Sequence, residues 1–107
     1  MEQAEKAARF AELHVKGKPL LLFNAWDAGS AKSIFDAGAP AIATSSWSIA
    51  EAQGYRDGED IPLELAEQVI ARIAATVDAP VSADVEGGYS EDLPELIDVF
   101  LTAWTSK

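Results

Sequence analysis

The sequence contains no cysteine, which excludes disulfides, thiolate metal sites and a cysteine nucleophile within its 107 residues. Histidine is nearly as scarce. The single one, His14, ends a helical pattern, where it complements the helix dipole rather than serving a metal. Positive charge is also short, with eight Lys and Arg against 18 Asp and Glu and a net charge of −10. A nucleic-acid surface needs a basic patch, so no nucleic-acid partner is expected. No apolar run nears the roughly 18 residues that suggest a membrane span. The charged first ten residues lack the apolar centre of a signal peptide, so a cytoplasmic protein with no membrane partner is expected. No glycine-rich phosphate loop of the dinucleotide or P-loop type follows a strand, which disfavours a nucleotide-binding domain.

What is present is an alternation of elements. Ala4, Ala7, Ala8, Ala11 and Val15 recur at helical spacing and predict a helix over 2–16, stopped by Gly17. After Pro19, the apolar run Leu20 to Phe23 suits a strand buried on both faces. A helix over 28–37 follows, capped by Asp27 or Ser30 and stopped at Gly38. Pro40 opens a second strand, 41–44, and a long polar segment runs from Ser48 to Asp60. Pro62 introduces a helix over 63–76 with Leu65, Val69, Ile73 and Val77 on one stripe. Pro80 leads into a short strand, Val81 to Ala83, then Asp84, Glu86 and the Gly87-Gly88 turn. A last helix, capped by Ser90 or Asp92, carries Leu96, Ile97, Phe100, Leu101 and Trp104. Such alternation with short connections predicts an α/β domain with parallel strands.

Parallel α/β sheets bind ligands beyond the C-terminal ends of their strands. Those ends bring Asn24, Trp26 and Asp27, then Ser45, Ser46 and Trp47, then Asp84 and Glu86 to one rim, and the long second loop adds Arg56 and Asp57. Carboxylates two apart at a strand tip project the same way and repel, so a cation between them is the simplest reason to keep both. Magnesium, a hard ion that takes oxygen ligands, suits Asp84, Glu86 and Asp57. Ser45, Ser46 and the amides through Trp47 suit a carboxylate of an anionic small molecule. Each member has a plain structural alternative. Asp57-Gly58 is a common turn pair, Asn24 and Asp27 suit helix caps, Ser45 and Ser46 suit backbone satisfaction, and Trp26 and Trp47 suit packing.

Four stretches, Phe23-Asn-Ala-Trp-Asp-Ala-Gly-Ser30, Ala41-Ile-Ala-Thr-Ser-Ser-Trp47, Gly54-Tyr-Arg-Asp57 and Ala83-Asp-Val-Glu-Gly-Gly-Tyr89, resemble the isocitrate lyase and phosphoenolpyruvate mutase superfamily. The likeness runs from about Arg9 to about Ile97. It implies a (β/α)8 barrel with magnesium, or manganese, at its mouth. It also implies lyase or mutase chemistry on C–C or P–C bonds of 2-oxo-acid substrates through an enolpyruvate-like intermediate. Asp84 resembles the family's metal-side aspartate and Glu86 falls at the second acid, where Asp is common. Asp57 resembles the loop aspartate near the metal and the transferred group, a catalytic position. Ser45, Ser46 and Trp47 resemble the substrate-carboxylate pocket. Ser90 stands where the family carries glycine.

A complete barrel needs ~250 residues. Residues 1–107 are therefore expected to form a single partial domain: about three parallel strands with their helices, the N-terminal βα units of a TIM-type barrel. A truncated family member, inactive alone, is the expectation, and the homo-oligomer that the family implies is in doubt for it. A small non-catalytic α/β binding or interaction module is the alternative.

Overall fold

The computed structural model describes residues 2–58 and 60–84. The last helix expected from sequence, together with Glu86, Gly87 and Gly88, lies outside them. The described residues form seven elements: α1 (Gln3–Glu12), β1 (Phe23–Ala25), α2 (Ala28–Asp36), β2 (Ile42–Thr44), α3 (Ser46–Ala52), α4 (Leu63–Thr76) and β3 (Val81–Ser82). The strands make one parallel sheet in the order β1-β2-β3. This is the α/β architecture expected of the first βα units of a barrel.

The core lies between this sheet and the helices α2 and α4. Ala25, Ala31, Ile42, Val69, Ile70, Ile73 and Val77 form its centre, with Ile49 and Ile61 beside them. Ile42 and Ile73 are fully buried. Small residues on β1 and α2 (Ala25, Ala31) let helix and sheet approach closely, while branched residues on α4 fill the remaining space. The prolines act as entry points: Ile42 N–H donates to the Pro80 carbonyl at 2.9 Å, drawing the starts of β2 and β3 together. Pro62 is the N-cap of α4 rather than a residue of its first turn. Gly38, with φ +106, sits just past the α2 C-cap Ala37, where a left-handed conformation ends a helix readily.

Four expectations are corrected. α1 stops at Glu12, and Gly17 (φ +82) serves a later turn in which Lys18 N–H donates to the Val15 carbonyl at 3.0 Å. The first strand is Phe23–Ala25, not Leu20 to Phe23. Its pairing with Ile42–Thr44 fixes that register, and Leu21 and Phe23 are 71% and 60% exposed instead of buried. The alanine stripe of α1 is likewise exposed, and Lys6 is the helix's one buried residue. The polar stretch from Ser48 is not a plain loop, because its first part is α3.

The exposed residues of β1 and the chain before it border an apolar groove of about 760 Å³, lined by Leu13, Val15, Leu20, Leu21, Phe23 and Pro40. It opens beside the N-terminal ends of β1 and β2, at the opposite end of the strands from the rim that carries the polar residues.

Candidate functional site

Three strand ends define the rim. β1 delivers Trp26 and Asp27, β2 delivers Ser45, and β3 delivers Asp84. Asp27 is committed to structure. It is the N-cap of α2, and its carboxylate accepts the Ser30 N–H at 2.7 Å. The Ser30 hydroxyl accepts the N–H groups of Trp26 (3.0 Å) and Asp27 (3.1 Å), completing a capping box. Both cap candidates read from sequence therefore act together. Asn24 is exposed within β1 and is not the cap.

At β2 the signal is a buried hydroxyl that sequence reasoning missed. Regular pairing with β3 ends at Ala43 and Ser82. One residue on, Thr44 Oγ1 donates to the Ser82 carbonyl at 3.2 Å and accepts the Asp84 N–H at 3.1 Å. Thr44 is 5% exposed, whereas Asp84 is exposed. Asp84 thus follows a backbone tied to the neighbouring strand. A polar β-branched residue at a strand's last position, just before the serines, was the one hint available in the sequence.

Ser45, Ser46 and Trp47 open α3. Ser45 is the N-cap, and its hydroxyl accepts the Ser48 N–H at a long 3.5 Å. Ser46 and Trp47 are the first two helical residues, whose N–H groups have no partner within a helix. The expected cluster of amides is therefore the start of a helix. Trp26 and Trp47 are 44% and 58% exposed, so neither is a packing aromatic among the described residues. They stand at adjacent strand ends on the rim.

Asp57 is exposed on the turn between α3 and α4, followed by Gly58 at φ +98, the backbone geometry that an Asp-Gly turn favours. Arg56 pairs with Asp60 at 3.0 Å, both well exposed. Of the three carboxylates named for a metal, Asp57 and Asp84 are described and Glu86 is not. Among the described residues, no three His, Asp or Glu side chains gather closely enough to hold an ion. The donors fit magnesium in kind: all are carboxylate oxygens, and the chain has no thiol to favour a softer metal.

Comparison with known proteins bears on the same residues. The sequence model of the phosphoenolpyruvate phosphomutase family matches residues 10–104. An uncharacterized protein of Mycobacterium tuberculosis is 35% identical over 89 residues, which is 83% of this chain and 34% of the relative. The chain thus spans about a third of the length of that relative. A crystal structure from Burkholderia cenocepacia, titled a "putative phosphonomutase", superposes with a TM-score of 0.88 at 50% identity, covering 92% of this chain and 42% of its own. A second Burkholderia cenocepacia structure, titled a "putative lyase/mutase", gives 0.83 at 33% identity, covering 94% and 37%. A phosphoenolpyruvate phosphomutase from Streptomyces platensis subsp. rosaceus gives 0.81 at 23% identity, a likeness of fold that covers 91% of this chain and 34% of that one.

Proposed function

Because the chain belongs to the phosphoenolpyruvate phosphomutase family, we propose that it carries part of a magnesium-dependent site for lyase or mutase chemistry. The bond acted on would be a C–C or P–C bond of a 2-oxo-acid substrate. One observation supports this above the others. Asp84 stands exposed at the β3 tip while its backbone is anchored to the end of β2, beside the helix start that Ser45 caps. An acid and a set of hydrogen-bond donors thus leave neighbouring strands at one rim.

In this reading Asp84, Glu86 and Asp57 hold the ion, and manganese would substitute for magnesium. Held by these carboxylates, a divalent ion would supply Lewis-acid polarisation of a substrate carbonyl and stabilisation of developing negative charge. The chain's own residues do the rest. Ser45 accepts a hydrogen bond from Ser48 through its oxygen, which leaves its proton available to a substrate carboxylate. In this reading the N–H groups of Ser46 and Trp47, which have no acceptor within the helix, are two further donors for that carboxylate. Asp57 acts from the α3–α4 turn on the group being transferred.

The test is manganese titration of the full chain and of Asp84→Asn, followed by assay of 2-oxo acids with and without magnesium. Wild-type protein should bind the ion and Asp84→Asn should bind it at least ~10-fold less tightly, as expected when a ligand charge is lost. Equal binding by the two proteins rejects the role of Asp84. A second reading, a non-catalytic interaction module, draws on the exposed Leu21 and Phe23 beside the apolar groove. It is favoured if the chain unfolds sharply as a monomer and binds no divalent ion.

A further inference from the structure

We propose that Thr44 is a positioning residue for Asp84, and that its hydroxyl sets the direction in which this acid leaves the sheet. The inference rests on the metal-site reading above but concerns a residue to which that reading gives no role. Thr44 and Lys6 are the buried polar or charged side chains among the described residues. A buried hydroxyl is retained only where its hydrogen bonds are made, and both capacities of Thr44 are used on one short segment. Its proton goes to the Ser82 carbonyl and its oxygen receives the Asp84 N–H.

These two anchors bracket Ala83, at the point where the β2–β3 ladder has run out. The side chain of β2 therefore replaces the next rung of the ladder and holds the β3 exit against the β2 tip. Since Ser45 follows directly and caps α3, the same strand end sets both Asp84 and the start of the candidate carboxylate pocket. Beyond the last rung of the ladder, the Thr44 hydroxyl thus fixes the spacing between acid and hydrogen-bond donors. Groups that hydrogen-bond to a metal ligand tune affinity by about 10- to 100-fold in known sites. Here the link runs through the ligand's backbone rather than its carboxylate, so an effect near the lower bound is expected.

The experiment compares Thr44→Val, which keeps the shape and removes the hydroxyl, with Thr44→Ser, which keeps the hydroxyl and removes a methyl. Two quantities are read on the full chain: manganese affinity by calorimetric titration, and hydrogen exchange of the Asp84 amide without metal. Thr44→Val should bind manganese about 10-fold more weakly and exchange faster at Asp84. Thr44→Ser should stay within about three-fold of wild type in affinity, with slow Asp84 exchange, even where its core is less stable. The inference is overturned if Thr44→Val keeps wild-type affinity, or if Thr44→Ser is as weak as Thr44→Val. If wild type binds no manganese, the metal-site reading falls and exchange decides: faster exchange in valine alone supports positioning, and equal exchange in all three overturns it.

Discussion

Helices α1 and α4 have similar apolar periodicity in sequence and different fates in the structure. α4 buries Ala66, Val69, Ile70, Ile73 and Ala74, a face in which three branched side chains stand between two alanines, and it packs on α2 and α3. α1 buries Lys6 and leaves its alanines in solvent. Its attachment is polar: Lys6 Nζ donates to the carbonyls of Ala74 (3.1 Å) and Val77 (3.2 Å), at the C-terminal end of α4. A lysine there meets helix carbonyls that lack intrahelical partners and the negative end of the dipole. A row of alanines offers too little apolar area to hold a helix on a surface. One charged side chain in the right place supplies what they do not.

The contrast is broken most severely from the α4 side. Ile73→Ala removes a fully buried side chain at the centre of the core and should cost about 2–5 kcal/mol. In a domain this small that is a large share of total stability. Urea unfolding followed by far-UV circular dichroism should show a much lower midpoint or no cooperative transition. On the α1 side, Lys6→Met removes the donor and should cost about 1–3 kcal/mol, felt first in α1. Hydrogen exchange should accelerate over residues 3–12 and stay slow over 63–76. If both segments accelerate together, α1 is part of the same cooperative unit and the distinction between the two helices fails.

The same contrast explains which elements were legible in the sequence. The limits of α4 follow from its sequence because branched apolar residues on one stripe and a proline at its start agree. The parallel sheet followed from the alternation of elements. β1 was displaced by two to three residues because apolarity marks a strand, whereas its register depends on where β2 pairs. α3 leaves no periodic stripe in the sequence, because only Ile49 and Ala50 of its seven residues are buried. Ser45 three residues before Ser48 was the available cap signal. In the site, strand ends alone point to Asp84 and Ser45. They do not point to the hydroxyl that joins their two strands, since Thr44 and Asp84 are 40 residues apart and only the sheet brings them together.

Between the two extremes of α4 and α1 stand the caps of α2 and α3, which refine the comparison on a smaller scale. Asp27→Ala deletes the short 2.7 Å bond to Ser30 N–H and one half of the capping box, for a loss of about 1 kcal/mol. The midpoint of urea unfolding should fall measurably, because α2 packs directly on α4 and β1.

Ser45→Ala is the mildest of the substitutions. The Ser45 to Ser48 contact is 3.5 Å long, at the limit of a hydrogen bond, and α3 has seven residues. A loss below about 0.5 kcal/mol is expected, toward the low end for N-caps. A hydroxyl that contributes so little to its own helix is open to another partner, and the rim position of Ser45 offers one. Stability and ligand binding should therefore separate in this variant: an almost unchanged unfolding midpoint together with weaker retention of a 2-oxo acid, measured by titration in the presence of manganese. A stability loss as large as that of Asp27→Ala would instead make Ser45 a structural cap like its counterpart on α2, and the carboxylate pocket would lose its hydroxyl.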